Sequence, residues 1–373
     1  MCVCGGRTIT ERKPAGDAQK KFVLYQEVDG TPYEVELPLT SNVDPNELRG
    51  SLGLPSYIDL DYFPLKSAMV TLWATANAHR LHELHPRAFE KKVSDNPIPA
   101  LLFGGAAIKI LCKSANAGGS LARHIKDTDF IVPKKQGMNF CKLLLGMDKA
   151  FGTQFKYFRT KGDVLFNAMR QGQRYRIRTI NGVTEEGNPT VTVLDIFCDY
   201  IDLRHRIEVK EAFGHCKENL FTIGLENLLL SKSQFIMDYP KSGAHVLKEH
   251  GQEFRVLPYP YYSPDKLVLG MEEKDTKDVC AIFLDHPIGE AIEEISPNKM
   301  VKILEKDKKL ALTVTLNLQN LMERTELLKK WLKGSDITTV TNRTSELLNH
   351  LPKIDKKWDK PWWNTAVETP MIG

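Results

Sequence analysis

The 373-residue sequence contains no apolar run near the roughly 18 residues that a membrane span requires. Its opening, MCVCGGRTITERKPAGDAQKK, has no apolar signal core, so secretion is not expected. Charge of one sign is also lacking. Lys plus Arg total 51 against 47 Asp plus Glu, and the net charge of +4 permits nucleotide or nucleic-acid binding without arguing for it. The seven cysteines are an odd count. Cys112, Cys141, Cys198 and Cys280 lie in apolar contexts and read as buried thiols of a reducing, cytoplasmic compartment. Cys2 and Cys4 form a CxC pair with no second pair nearby, which fits a mobile terminus better than a metal site. The glycine pair at 104–105 is followed by no GK[ST], which excludes a P-loop, and by no third glycine, which excludes a dinucleotide fingerprint. Internal repeats and low-complexity tracts are absent.

What is present divides the chain into blocks. Residues 1–95 read as an extension. KFVLYQEVDGTPYEVELPL predicts two strands around an Asp29–Gly30 turn, and LKSAMVTLWATANAHRLHELH has helical spacing. SDNPIPA then breaks the chain. From about 98 to 205 strand and helix alternate. IPALLF, DTDFIVP, FKYFR, VLFNAM, QRYRIRTI and TVTVLDIFCDYI read as strands, while GGAAIKILCKS and GMNFCKLLLGMDKAFG read as helices. From about 215 to 340 the pattern is helical. GLENLLLSKSQFIMDY and TKDVCAIFLDH form two helices, and one or two longer ones follow and stop at Gly334. The last stretch, with Trp358, Trp362 and Trp363, has no periodicity and is expected to dock on the body or on a partner.

The chemistry concentrates at DTDFIVP. Asp127 and Asp129 point to one face of an apolar strand, because side chains alternate with a period of two. Two carboxylates on a buried face repel each other and lose solvation. A divalent cation answers both problems, and Mg²⁺ suits an all-oxygen site beside phosphates. Asp195, in the apolar strand VTVLDIFCD, is the third candidate, and three carboxylates suffice for two metal ions. Gly104 and Gly105 stand between a strand and a helix, where backbone N–H groups and the helix dipole receive a phosphate.

Strand–GG–helix, then hDhDh, then a later strand with one Asp resembles the nucleotidyltransferase superfamily of the DNA polymerase β type, and within it most closely the AbiEii-type toxin and minimal nucleotidyltransferases. The matching stretches are LLFGGAAIKIL with RHIKDTDFIV, VTVLDIFCD, IGLENLLLSKSQFI and EKDTKDVCAIF, together about residues 98–285. The family's Gly-Ser is Gly104-Gly105 in this chain, and Ile125 stands where the family often has Ser or Thr. The resemblance implies an α+β fold, a mixed-sheet catalytic core at 96–212 followed by a helical domain at 213–340 that completes the nucleotide pocket, with an irregular tail at 341–373. It implies that Asp127, Asp129 and Asp195 bind Mg²⁺ or Mn²⁺. It gives catalytic roles to these three and to Lys232, which would contact the triphosphate. It places the NTP against Gly104, Gly105, Lys126, Ser231, Lys232 and either Asp278 or Asp275. The implied reaction is transfer of NMP to an acceptor hydroxyl or phosphate on RNA (a tRNA end included), a protein or a small molecule, in toxin-like or defence fashion and with an antitoxin-like partner.

Other residues read two ways. Arg123, His124 and Lys126 are a basic cluster that either holds a γ-phosphate or is simply solvated. Arg170, Arg174, Arg176 and Arg178 alternate, which describes either an RNA-tracking face or a charge-protected edge strand. His205 has no sequence partner and reads as structural. The competing view of the whole is a non-catalytic module of the same fold that binds a nucleotide, nucleic acid or protein. Such a module has little reason to keep three uncompensated carboxylates.

Overall fold

The computed structural model describes residues 21–26, 32–36, 38–94, 97–125, 127–183, 189–237, 245–249, 252–256, 268–269, 271–355 and 362–364. Strands β1 (Lys21–Gln26) and β2 (Pro32–Glu36) pair antiparallel, as their alternation predicts. The Asp29–Gly30 turn, the Cys2/Cys4 pair, Lys126 and Trp358 lie outside the described residues.

Helix α1 (Pro45–Leu52) starts on an Asp44 cap that accepts from the Asn46 N–H at 2.8 Å, and ends at left-handed Gly53. The apolar helix α2 (Phe63–Ala76) follows, then α3 (Ala78–Leu84) and the short α4 (Lys91–Ser94). The residues read as an extension thus supply part of the main core. Leu65, Met69 and Leu72 are buried in the same cluster as Phe130, Leu194 and Leu228.

The alternating block brings strand β3 (Leu101–Phe103), helix α5 (Gly104–Leu111), strand β4 (Asp127–Val132), helices α6 (Gly137–Leu145) and α7 (Asp148–Phe151), strand β5 (Tyr157–Phe158), helix α8 (Lys161–Met169), and strands β6 (Arg174–Val183) and β7 (Pro189–Cys198). The five strands form one mixed sheet in the order β3-β4-β7-β6-β5, with only β4 and β7 parallel. One face of the sheet is apolar and closed, formed by Leu102, Phe130, Val132, Leu194, Ile196 and Ile177. The other face carries the carboxylates.

Two expectations fail in this region. VLFNAM, read as a strand, is helical. Thr160 and Asp163 form a reciprocal capping box that starts α8, while Leu165 and Met169 stay exposed. The basic strand β6 is not an edge but lies between β7 and β5.

Helices dominate the remainder: α9 (Leu225–Ser233), α10 (Glu273–Asp285), α11 (Pro297–Leu304), α12 (Lys308–Glu323), α13 (Thr325–Leu328) and α14 (Gly334–His350). The first of them ends four residues short of Met237, because Ile236–Met237 pairs with the strand Val268–Leu269. Gly334 opens a helix instead of ending one. Asp336 sits in the first turn, where the helix dipole favours an anion, and α14 carries order through residue 340 into the stretch expected to be irregular. Trp362 does dock on the body, donating from its indole N–H to Thr313 Oγ1 at 2.8 Å.

The same hydroxyl faces His205 Nε2 at 2.9 Å, which bears out the structural reading of this histidine. Burial, reinforced by Lys309 and opposed by Asp307, lowers the imidazole pKa to about 4. The folded value lies below the unfolded one, so the unfolded chain takes up the proton first as pH falls. Stability is therefore expected to decline between about pH 6.5 and pH 4 by roughly 3 kcal/mol from this group. Urea midpoints measured across that range, with His205→Gln flattening the decline, check it.

Candidate functional site

Strand register brings the three aspartates together. Asp129 lies opposite Phe103 on β3 and opposite Asp195 on β7, and Asp195 lies opposite Arg176 on β6. One transverse row of the sheet therefore reads Phe103, Asp129, Asp195, Arg176. Asp127 begins the neighbouring row and is exposed, while Asp129 keeps only a partial opening to solvent. Burial, with the charges of Asp127 and Asp195, pushes the Asp129 carboxyl well above the usual range, against the pull of Lys232 and Arg174.

The glycines answer to this carboxylate. Gly104 has φ 67°, and a Cβ there would stand 2.2 Å from Asp129 Oδ2. At Gly105 a Cβ would stand 2.6 Å from Ile125 Cγ2 and 2.7 Å from Arg123 Nη2. Both residues are glycine because Asp129 and Arg123 press against the first turn of α5. Left-handed strain plus that overlap sets the expectation for Gly104→Ala, a loss of roughly 2–4 kcal/mol in thermal or urea denaturation. Gly50→Ala, in a helix with open space around it, is expected to be neutral or slightly stabilising.

Asp195 is held from the next strand. Arg174 Nη2 donates to its Oδ2 at 2.7 Å, Arg176 Nε donates to Oδ1 at 2.9 Å, and Arg176 Nη2 reaches Oδ2 at 3.1 Å. Burial works against the Asp195 charge, but the two guanidinium groups outweigh it and hold the carboxyl below its ordinary value. The third arginine of the alternation, Arg178, pairs with buried Asp163 at 2.9 Å. The period-two arginines thus face carboxylates of their own sheet and of α8.

A second ionic group forms where α9 and α10 pack on α5. Lys232 Nζ lies 2.8 Å from Asp278 and 3.1 Å from Asp275. Arg123 grips Asp278 with two hydrogen bonds, Nε to Oδ1 at 2.7 Å and Nη2 to Oδ2 at 2.6 Å. Both aspartates therefore touch Lys232, and Asp278 alone also joins Arg123. Burial would lower the Lys232 pKa, but Asp278 and Asp275 prevail and raise it, so the amine is firmly cationic. Ser231 turns its hydroxyl back to the Leu228 carbonyl at 2.8 Å, within its own helix.

Sequence reasoning missed two roles. Tyr62, from the N-terminal extension, donates through Oη to the Ile125 carbonyl and accepts from the Ile125 N–H, both at 2.8 Å, and so fixes the chain just ahead of Asp127. Arg174 and Arg176 were legible as an alternating pair, but their partner depends on strand register.

Among the described residues, no group of three or more His, Cys, Asp or Glu side chains is arranged to hold a metal ion. Asp127 and Asp129, two residues apart on one face of β4, are the pair that would hold a divalent cation. Asp129 carries repulsion from two other carboxylates, and a cation relieves it.

The molecule is a mixed α/β protein with one five-stranded sheet and helices on both sides of the chain order. Comparison with protein families, with curated proteins and with solved structures returns no match. Among the described residues, no helix is long and apolar enough to cross a membrane.

Proposed function

We propose that the protein is a Mg²⁺-dependent nucleotidyltransferase that moves NMP from an NTP to an acceptor hydroxyl or phosphate. The observation that carries the reading is Asp129 seated against a glycine-opened helix N-terminus, with Asp127 beside it and Asp195 across the strand pair. Asp127 and Asp129 would hold the cation, which supplies charge neutralisation for the triphosphate. The first N–H groups of α5 offer the phosphate chain partial positive charge. Arg123 stands against Gly105, and Lys232 pulls on the Asp129 carboxyl; with Asp275 and Asp278 they form a balanced ionic group that would orient donors toward the phosphates rather than supply net positive charge. RNA, a protein or a small molecule remain the acceptor classes. A cytoplasmic site of action and an antitoxin-like partner belong to the same proposal.

One observation favours the non-catalytic alternative. Asp195 is already compensated by two arginines, so only Asp127 and Asp129 argue for metal-dependent chemistry. Incubation with Mg²⁺, each α-labelled NTP and pools of RNA, protein and small acceptors separates the two readings. Transfer by the wild type and none by Asp127→Ala/Asp129→Ala is expected. NTP binding without any transfer would favour the binding module, and equal transfer by the double variant would refute the carboxylate assignment.

A further inference from the structure

We infer that Arg174 and Arg176 stand in for a second divalent cation, so that the site takes one metal ion, at Asp127 and Asp129, and Asp195 serves to position the arginines. The inference rests on the nucleotidyltransferase reading and concerns how its charge is supplied.

Three features of the arginine pair carry it. Both oxygens of Asp195 accept from guanidinium N–H groups, and Oδ2 accepts two, so three of the carboxylate's about four lone-pair sites are taken and a metal would have only one, on Oδ1. The arrangement is also braced. The Arg174 guanidinium lies 4.2 Å from the Phe197 ring centre and 5.5 Å from that of Phe166, and Arg176 lies 4.4 Å from Phe166. The Arg176 backbone N–H is locked by Asn167 Oδ1 at 2.6 Å. Finally, the pair is placed by register: Arg176, Asp195 and Asp129 share one row across three strands, so the Arg176 backbone stands two strands from that of Asp129, the carboxylate that faces the glycines, with Asp195 between them.

Charge counting agrees. Three carboxylates against two guanidinium groups leave one net negative charge in the row and its neighbours. One divalent cation turns that positive, which is what an incoming triphosphate requires. Guanidinium does not deprotonate in proteins, so this positive charge is permanent where a weakly held second ion would exchange. The two arginines act through their charge, and Asp195 is the positioning residue that holds them.

Mn²⁺ counted by electron paramagnetic resonance tests the inference, with each of the four α,β-methylene NTPs added in turn. One bound Mn²⁺ per chain–nucleotide complex is expected, and two would overturn it. Asp195→Asn keeps an oxygen for the arginines, so its Mn²⁺ affinity should stay within about threefold of wild type, while Asp129→Asn should lose about tenfold or more. An equal loss in both variants would make Asp195 a ligand and overturn the inference. If Asp195→Asn does not fold, the wild-type count decides alone. No Mn²⁺ bound with any nucleotide would instead remove the nucleotidyltransferase reading itself.

Discussion

Asp278→Ala is expected to lose about 3–5 kcal/mol of folding stability, the scale for removing one partner from a buried ion group. Asp278 is almost wholly buried, with its side chain 3% exposed, and it is shared by Arg123 and Lys232. Truncation leaves two cations facing each other with only Asp275 to offset them. Burial works against the Asp278 charge, but Lys232 and Arg123 hold its carboxyl below the usual range, and this sets the pH dependence. A folded pKa below the unfolded one gives stability that is fully present above the unfolded value and is lost as pH falls through the folded one. The contribution should therefore survive to about pH 4 and fade below it. Urea denaturation of wild type and variant at pH 7 and at pH 3 measures both parts. A difference at pH 7 under about 1 kcal/mol would mean that the ion group does not hold α9, α10 and the Arg123 loop together.

Asp129→Asn is expected to do the reverse for stability while removing function. Burial and the charges of Asp127 and Asp195 raise the Asp129 pKa, so ionising this group weakens the fold as pH rises from the ordinary carboxylate range through the raised value. A neutral isostere removes that repulsion, and the metal-free variant should melt higher than wild type, by roughly 1–2 kcal/mol in stability. Mn²⁺ should then stabilise wild type and leave the variant nearly unchanged, since only a ligand that binds the native state shifts the transition. Transfer activity should fall by about 10²–10³-fold, the scale for losing one element of transition-state electrostatics. A variant that melts lower than wild type in the absence of metal would show that the Asp129 charge is compensated by groups other than those named.

The sequence carried the site further than the fold around it. Asp127, Asp129 and Asp195 were readable because a carboxylate in an apolar, alternating strand is anomalous by itself, and register then placed Asp129 opposite Asp195. The partner of Arg174 and Arg176 was not readable because it sits 21 and 19 residues away on another strand, and no local pattern encodes that pairing. The run at 164–169 was misread because its apolar residues suit a short strand equally well. The deciding signal was the cap at Thr160 and Asp163, one turn upstream. Gly334 misled for a related reason, since glycine is tolerated at a helix start as well as favoured past its end.

Strand β3 has neighbours on both sides. Leu102 lies opposite Phe130 of β4, while its own N–H donates to the Phe221 carbonyl at 2.7 Å and its C=O accepts from the Ile223 N–H at 3.1 Å. Gly104 follows it by two residues in one direction of the chain, and helix α9 with Lys232 begins two residues after Ile223. The glycine turn and the lysine helix are thus dovetailed onto a single strand. Anything that tilts α9, a docked partner included, would tilt the glycine turn with it, so the helical half of the molecule holds a mechanical handle on the carboxylate face.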